Sequence, residues 1–293
     1  MVAGTGHDFL NRHSCENGVF IRTALLKNIS WDLADSRGLG NADGNVKLGS
    51  GLVWDEVQKS ASLNNRFVVT GWSPTVGVVG WSIGGGHGFM APGYGLGVDN
   101  ILEADIVLHD GTLLTVNSNN NSDLYWAIRG GGGSNWGIIT SITVKAHKIP
   151  TGGITLWAGI WNGNFCNNNS QLNSFIDGYH AWVLNQTNLM GGLMFFTPTF
   201  TNKTADCLAT WSVMTEYFYQ GPSTDAYFKN SIANLTAVLK PNITNTTGYA
   251  TPWSFVQTLA AEYLIPVNMM APTSQFVGGI PSVFVSRDVV ASG

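Results

Sequence analysis

Charge is scarce in this chain. Only 11% of its 293 residues are Asp, Glu, Lys or Arg, against a usual share of about 25%. The formal net charge is -4, from 14 basic and 18 acidic side chains. With no basic patch there is nothing to displace counterions from a phosphate backbone, so a nucleic-acid partner is excluded. Disorder is excluded too, because disordered chains combine high charge with low hydrophobicity, and 44% of this chain is hydrophobic. No run of about 18 apolar residues occurs, so neither a membrane-spanning helix nor a membrane partner is expected. The start, Met1-Val2-Ala3-Gly4, has no charged or apolar leader and does not read as a signal peptide. Cysteine is also rare. Cys15, Cys166 and Cys207 make no even disulfide framework and no metal-ligand spacing, so no metal is expected. In an oxidising compartment Cys166 and Cys207 are able to pair, leaving Cys15 over.

What the chain has instead is glycine and asparagine. Glycine accounts for 36 residues, well above the usual share of about 7%. Eight Asn-x-Ser/Thr acceptors begin at Asn28, Asn120, Asn168, Asn185, Asn202, Asn234, Asn242 and Asn245. Low charge with abundant acceptor asparagines fits a secreted protein kept soluble by N-glycans. The expected location is therefore extracellular, with the leader lying outside this chain.

Two textures divide the sequence near Pro150-Thr151-Gly152-Gly153. In residues 1–150, Val19–Ile21, Val46–Leu48, Phe67–Val69, Ile106–Leu108 and Ile138–Val144 read as strands from their β-branched content. Val53–Ala61 has helical spacing, with Val53, Val57 and Ala61 on one face. Ser122–Ile128 reads as a short helix capped by Ser122 and ended by Gly130–Gly133. In residues 151–293, Thr155–Trp161 and Leu193–Phe196 read as strands, and Gln171–Leu184 and Ser223–Leu239 as helices. That pattern predicts an antiparallel sheet with covering helices. The 11 Trp and 8 Tyr suggest either a sugar-binding surface or, more simply, packing between sheet and helices.

Four glycine-rich segments fall in the first half: Gly4–Asp8, Gly71–Gly77, Gly84–Gly88 and Gly130–Gly133. Glycine lets successive backbone amides turn toward one point and cradle an anion. Several such loops suit an extended ligand such as a dinucleotide pyrophosphate; tight turns between strands would explain one loop alone. There is no Walker sequence, and no GxGxxG follows a strand and opens a helix, so P-loop and Rossmann readings fail.

Read in order, GTGHDFLNRHS (4–14), GSGLVWDEV (49–57), GWSPTVGVVGWSIGGGHGFMAPGYGLGVDNILEADIVLHDG (71–111) and NSDLYWAIRGGGGSNWGIITSITVKAH (121–147) resemble the FAD-linked oxidases of the berberine bridge enzyme-like group. These share the PCMH-type FAD-binding domain of vanillyl-alcohol oxidase. The likeness is to fungal-type secreted members similar to isoamyl alcohol oxidase and 6-hydroxy-D-nicotine oxidase. It is close over about half the chain and looser in residues 151–293.

The resemblance implies an α+β fold with two parts. Residues 1–150 would be the C-terminal part of the FAD-binding domain. Residues 151–293 would be a substrate domain of antiparallel sheet and covering helices. Both would be incomplete, because the family's opening strands and closing motif are not seen. It implies FAD as cofactor, with Gly4, Thr5, Gly6 and Asp8 on the pyrophosphate side and His7 as the covalent link to the flavin. Gly71, Ser73, Pro74, Thr75, Val76 and Gly77 would run along the flavin ring. Some members carry a second, cysteinyl link where this chain has Ser73, so a single histidyl link is implied. Val76 matches a position where a small side chain lets O2 reach the ring. Gly84, Gly85, Gly86, His87 and Gly88, with Tyr94-Gly95-Leu96, would continue the cradle, and Gly133–Gly137 with Trp136 would close it. Asp99, Asn100 and the backbone of Ile106 or Val107 would meet the adenosine half.

The implied activity is that of an oxidase passing hydride from a small alcohol or carbohydrate to FAD and then to O2. The alternative is a catalytically inactive fragment, or a secreted glycoprotein of the same fold without flavin turnover. His87, His109, Tyr94 and Glu262 are ionisable, yet none is assigned as the base.

Overall fold

The structure is a computed structural model that describes residues 1–8, 10, 12, 16–132, 135–200, 209–250 and 254. Cys15, Gly133, Asn202, Cys207 and Glu262 lie outside the described residues, as do the side chains of Cys166 and Asn168. The chain divides into two compact units, one within Met1–Ile149 and one over Pro150–Ala250.

In the first unit the elements run β1 (Val2–Ala3), β2 (Ile21–Arg22), β3 (Ile29–Asp32), β4 (Asn45–Gly49), α1 (Trp54–Leu63), β5 (Arg66–Phe67), α2 (Val78–Ile83), α3 (Ala91–Tyr94), β6 (Ile101–Val107), β7 (Leu113–Asn117), α4 (Ser122–Ile128), β8 (Ile138–Lys145) and β9 (His147–Lys148). Five strands form one antiparallel sheet in the order β3-β4-β8-β6-β7. The apolar residues of β4, β6 and β8, among them Val46, Leu48, Ile106, Ile142 and Val144, are buried with Trp54 and Val57 of α1 and Ile128 of α4. This burial of aliphatic surface is the main favourable term in the unit.

Several predicted elements shrink or shift. Of Val19–Ile21 only Ile21 is strand, and of Phe67–Val69 only Phe67. Each belongs to a two-residue pairing, β1 with β2 and β5 with β9, so β-branched runs here outlast the partner available to them. Ser122 is the first residue of α4 and not its cap. Asn121 sits at the cap in the left-handed region, φ 50°, which asparagine tolerates better than most residues.

In the second unit the order is β10 (Ile154–Asn164), α5 (Cys166–Val183), β11 (Met190–Phe200), β12 (Ala209–Tyr219), α6 (Ala226–Leu239) and β13 (Ile243–Tyr249). The sheet is antiparallel throughout, ordered β11-β12-β10-β13. Alternate residues Trp157 and Trp161 of β10, with Trp211, Val213, Tyr217 and Tyr219 of β12, form one buried cluster with Phe175 and Trp182 of α5 and Phe228 and Leu235 of α6. The aromatics are thus packing residues. Their polar ends are satisfied at home: the indole N–H groups of Trp161, Trp182 and Trp211 donate to the carbonyls of Leu239 (2.9 Å), Ser231 (2.9 Å) and Asn164 (3.1 Å). Helix α6 starts at Ala226, later than Ser223, because Asp225 caps it by accepting from the Tyr227 amide.

Indoles also account for glycines in this unit. A Cβ on Gly159 would lie 2.4 Å from the Trp157 ring and 2.7 Å from the Trp161 ring. Gly159→Ala should therefore destabilise by about 1–3 kcal/mol through overpacking, read as a lower thermal midpoint. Gly248→Ala, where nothing stands within 4 Å, should leave the midpoint within about 0.5 kcal/mol-equivalent. Equal midpoints for the two variants would contradict the packing account.

One buried group predicts a pH dependence. His147 is 9% exposed, and burial, aided by Lys145 and opposed by Asp43, brings its imidazole down to about 4. In the unfolded chain the ring titrates near its ordinary value, about 6.5. Between these values the unfolded state holds the extra proton. Stability is therefore full above pH of about 6.5 and falls as pH drops toward 4, by about 3 kcal/mol. Urea unfolding at pH 7 and pH 4.5 should show this loss, and His147→Gln should flatten it. An equally steep loss in that variant would reject the assignment.

Candidate functional site

Two loops meet on the first unit although 68 residues separate them. The first, Gly4–Asp8, follows β1; the second, Gly71–Gly77, runs into α2. The Nε2 atom of His7 lies 3.0 Å from Thr75 Oγ1, and Ser73 Oγ lies 3.3 Å from the same hydroxyl. Thr5 packs on Gly77, where a Cβ would come within 2.9 Å of the threonine hydroxyl. The structure thus brings Thr5, His7, Ser73, Thr75 and Gly77 together. Burial pulls the His7 imidazole below its ordinary value, so the ring is neutral at pH 7 and keeps a lone pair.

The second loop is fixed by the start of α1. No Ser, Thr or Asn caps this helix. The amides of Trp54 and Asp55, which a helix leaves without internal partners, donate instead to the carbonyls of Val76 (3.2 Å) and Pro74 (2.9 Å). Val78 in turn donates to Leu52 at 3.1 Å. Thus the GSGLVWDEV segment acts by presenting free helix amides to the loop. Val76 is half-buried against the sheet core.

The first loop has unused donors. Gly6 lies in the left-handed region, φ 87°. Among the described residues no acceptor takes the amides of Gly4, Thr5 or Gly6. Asp8 is differently engaged: its carboxylate accepts from the Arg12 guanidinium at 2.8 and 3.0 Å, and Arg12 holds its pKa low.

Glycines of the longer motif have two uses. Gly71, Gly86 and Gly97 surround the Trp81 ring, where added Cβ atoms would stand 2.7, 2.7 and 2.2 Å from it. Trp81 meets Trp54 edge-on, with centroids 5.0 Å apart. A Cβ on Gly88 would lie 2.0 Å from the Thr70 carbonyl oxygen. These glycines are required by packing. Gly85 faces open space and, like Gly86, has positive φ, 108° and 75°. Gly84 ends α2. The role of Trp81 went unread in the sequence; its signal was the spacing of glycines on either side.

The remaining candidates are placed as follows. His87 is exposed, and His109 is in the exposed turn between β6 and β7. Asp99 accepts from the Leu96 amide at 2.9 Å. Asn100 is buried and donates to the carbonyls of Tyr94 (2.9 Å) and Leu96 (2.8 Å). Ile106 has its side chain sealed in the core, and with Val107 it is paired to both β7 and β8. Gly137 packs on the Val107 carbonyl, and exposed Trp136 donates to Gly131. Asp99, Asn100, Ile106 and Val107 thus have structural partners of their own. Among the described residues no group of His, Cys, Asp and Glu could hold a metal ion, and no helix is long and apolar enough to cross a membrane.

The unclaimed amides of Gly4–Gly6, the open space at Gly85 and the neutral His7 fit the phosphates and ring of a flavin dinucleotide. Comparison with known proteins agrees. Residues 1–117 match the FAD binding domain family. The FAD-linked oxidoreductase ZEB1 of Gibberella zeae is 42% identical over 175 residues, covering 55% of this chain and 30% of that protein. The FAD-linked oxidoreductase easE of Epichloe festucae var. lolii is 39% identical over 153 residues, covering 50% and 25%. The chain spans less than a third of the length of these curated relatives. Among solved structures, the VAO-type flavoprotein MtVAO615 of Myceliophthora thermophila C1 superposes with a TM-score of 0.72 at 23% identity, over 88% of this chain and 45% of that one. The 6-hydroxy-D-nicotine oxidase of Arthrobacter nicotinovorans gives 0.69 at 23% identity, over 89% and 52%. Residues 1–117 are thus similar to an FAD binding domain, and the chain has the fold of these solved flavoproteins.

Proposed function

We propose that the protein is an FAD-dependent oxidase of small alcohols or carbohydrates, with FAD linked through His7 and O2 as electron acceptor. The observation that carries this reading is the meeting of His7 with Thr75 and Ser73 beside the unclaimed amides of Gly4–Gly6. Relatives support the substrate class: the solved neighbours include a xylooligosaccharide oxidase and a chitooligosaccharide oxidase. FAD, when bound, supplies the hydride acceptor. The protein's part is to bind, orient and tune. The amides of Gly4–Gly6 would meet the pyrophosphate. Burial keeps His7 neutral, as a nucleophilic nitrogen requires. The Thr75 hydroxyl, itself touched by Ser73, fixes the ring's rotation through Nε2. Ser73 has no thiol, so one covalent link is proposed.

Secretion and N-glycosylation belong to the same proposal. Of the acceptors whose side chains the structure describes, Asn28, Asn120, Asn185, Asn234, Asn242 and Asn245 are all exposed. Asn185 and Asn234 line one open groove of about 430 Å³ between α5 and α6.

Full-length protein carrying this chain should stay yellow after acid precipitation, and His7→Ala should lose that colour on denaturation. Colour lost from the wild-type pellet would reject the covalent link; colour kept by the variant would reject His7. Thr75→Val should slow covalent incorporation about threefold to tenfold, the scale of one hydrogen bond, while Thr75→Ser should not. Flavin fluorescence of the denatured band against time measures both.

A further inference from the structure

The loop that carries Gly84–Gly88 returns on itself before β6. Gly97 donates to the Gly86 carbonyl at 2.8 Å, and Val98 donates to Gly85 at 3.0 Å. The return arm is held by one side chain. Both amide hydrogens of Asn100 are used, on the Tyr94 and Leu96 carbonyls. Its Oδ1 accordingly accepts, and the group facing it at 2.8 Å is Nε2 of His147. The His147 ring must therefore carry its hydrogen on Nε2. It is held between Phe67 and Tyr94, with centroids 5.3 and 4.6 Å away. His147 lies on β9, 47 residues beyond Asn100, and is paired there with β5.

We propose that His147 is a positioning residue that, through Asn100, holds the loop of residues 84–98 in the shape that receives the flavin. This rests on the FAD reading above. It assigns the ring a specific duty: a donor at Nε2 that frees both Asn100 hydrogens for the loop. A neutral amide donor at the same reach does the same, whereas an apolar ring of equal bulk does not.

The test uses full-length protein, prepared with and without FAD. In wild-type protein, nitrogen-15 NMR should show His147 neutral and protonated on Nε2; protonation on Nδ1 would overturn the proposal without any variant. In flavin-free His147→Phe, which keeps the aromatic packing, the amides of Leu96, Gly97 and Val98 should exchange hydrogen at least tenfold faster. His147→Gln should restore exchange to within threefold. With FAD added, the Phe variant should bind at least tenfold more weakly and show an altered visible circular dichroism band, and the Gln variant should recover both. Unchanged exchange in the folded Phe variant overturns the staple. Faster exchange with unchanged flavin affinity and dichroism overturns its link to the cofactor. Wild-type protein that takes up no FAD overturns the functional reading, while the exchange and NMR results still decide the His147 contact.

Discussion

The first unit depends on the space that glycine leaves for one indole. Trp81 stands where Gly71, Gly86 and Gly97 have no side chains, and it leans edge-on against Trp54 at the start of α1. Three stretches of chain thereby close on one ring. The consequence reaches the site, because the same helix start gives its free amides to Pro74 and Val76. Helix α1, Trp81 and the Ser73–Thr75 hydroxyls thus hold each other in place, and His7 meets a rigid partner. A loop ordered this way has already lost its conformational freedom before a ligand arrives, which lowers the entropic cost of binding.

The second unit rests on the same exchange of side chain for space. Gly159 lies between Trp157 and Trp161, and Gly163 lies under Trp211. The aromatic cluster joins a sheet of long strands to two helices, and each indole of Trp161, Trp182 and Trp211 sends its N–H to a carbonyl. Large rings bury much area and leave one polar atom to satisfy. This explains how a unit so poor in charge still packs closely: among its described residues the side-chain hydrogen bonds are mostly made by indoles, hydroxyls and amides.

Much of this was legible in the residues themselves. The strands β4 and β8 and the helices α1 and α4 lie close to where β-branched runs and helical spacing placed them, whereas β6 begins at Ile101, five residues before the run read as a strand. Motif order placed His7 and Thr75 in two loops of one proposed site, and the structure brings the two side chains together. The glycine loops were harder. An anion cradle and a packing void call for the same residue, and only coordinates distinguish Gly85, which faces open space, from Gly88, which presses on a carbonyl. Asn100 was read toward a ligand, yet its hydrogens go to Tyr94 and Leu96. His147 carried no local signal at all, because its partner lies 47 residues away.

Sequence alone determined what depends on composition and near neighbours. Low charge argued against a nucleic-acid partner, periodicity indicated many of the helices and strands, and the order of the glycine motifs indicated a flavin fold. Tertiary structure decided which glycines make room for a neighbour and which face open space, and it brought His7 to Thr75. It also gave Trp81 and His147 their work. The physical reason is range. Propensity and capping act within about four residues along the chain, whereas steric exclusion and hydrogen bonding act between whatever atoms the fold brings within contact.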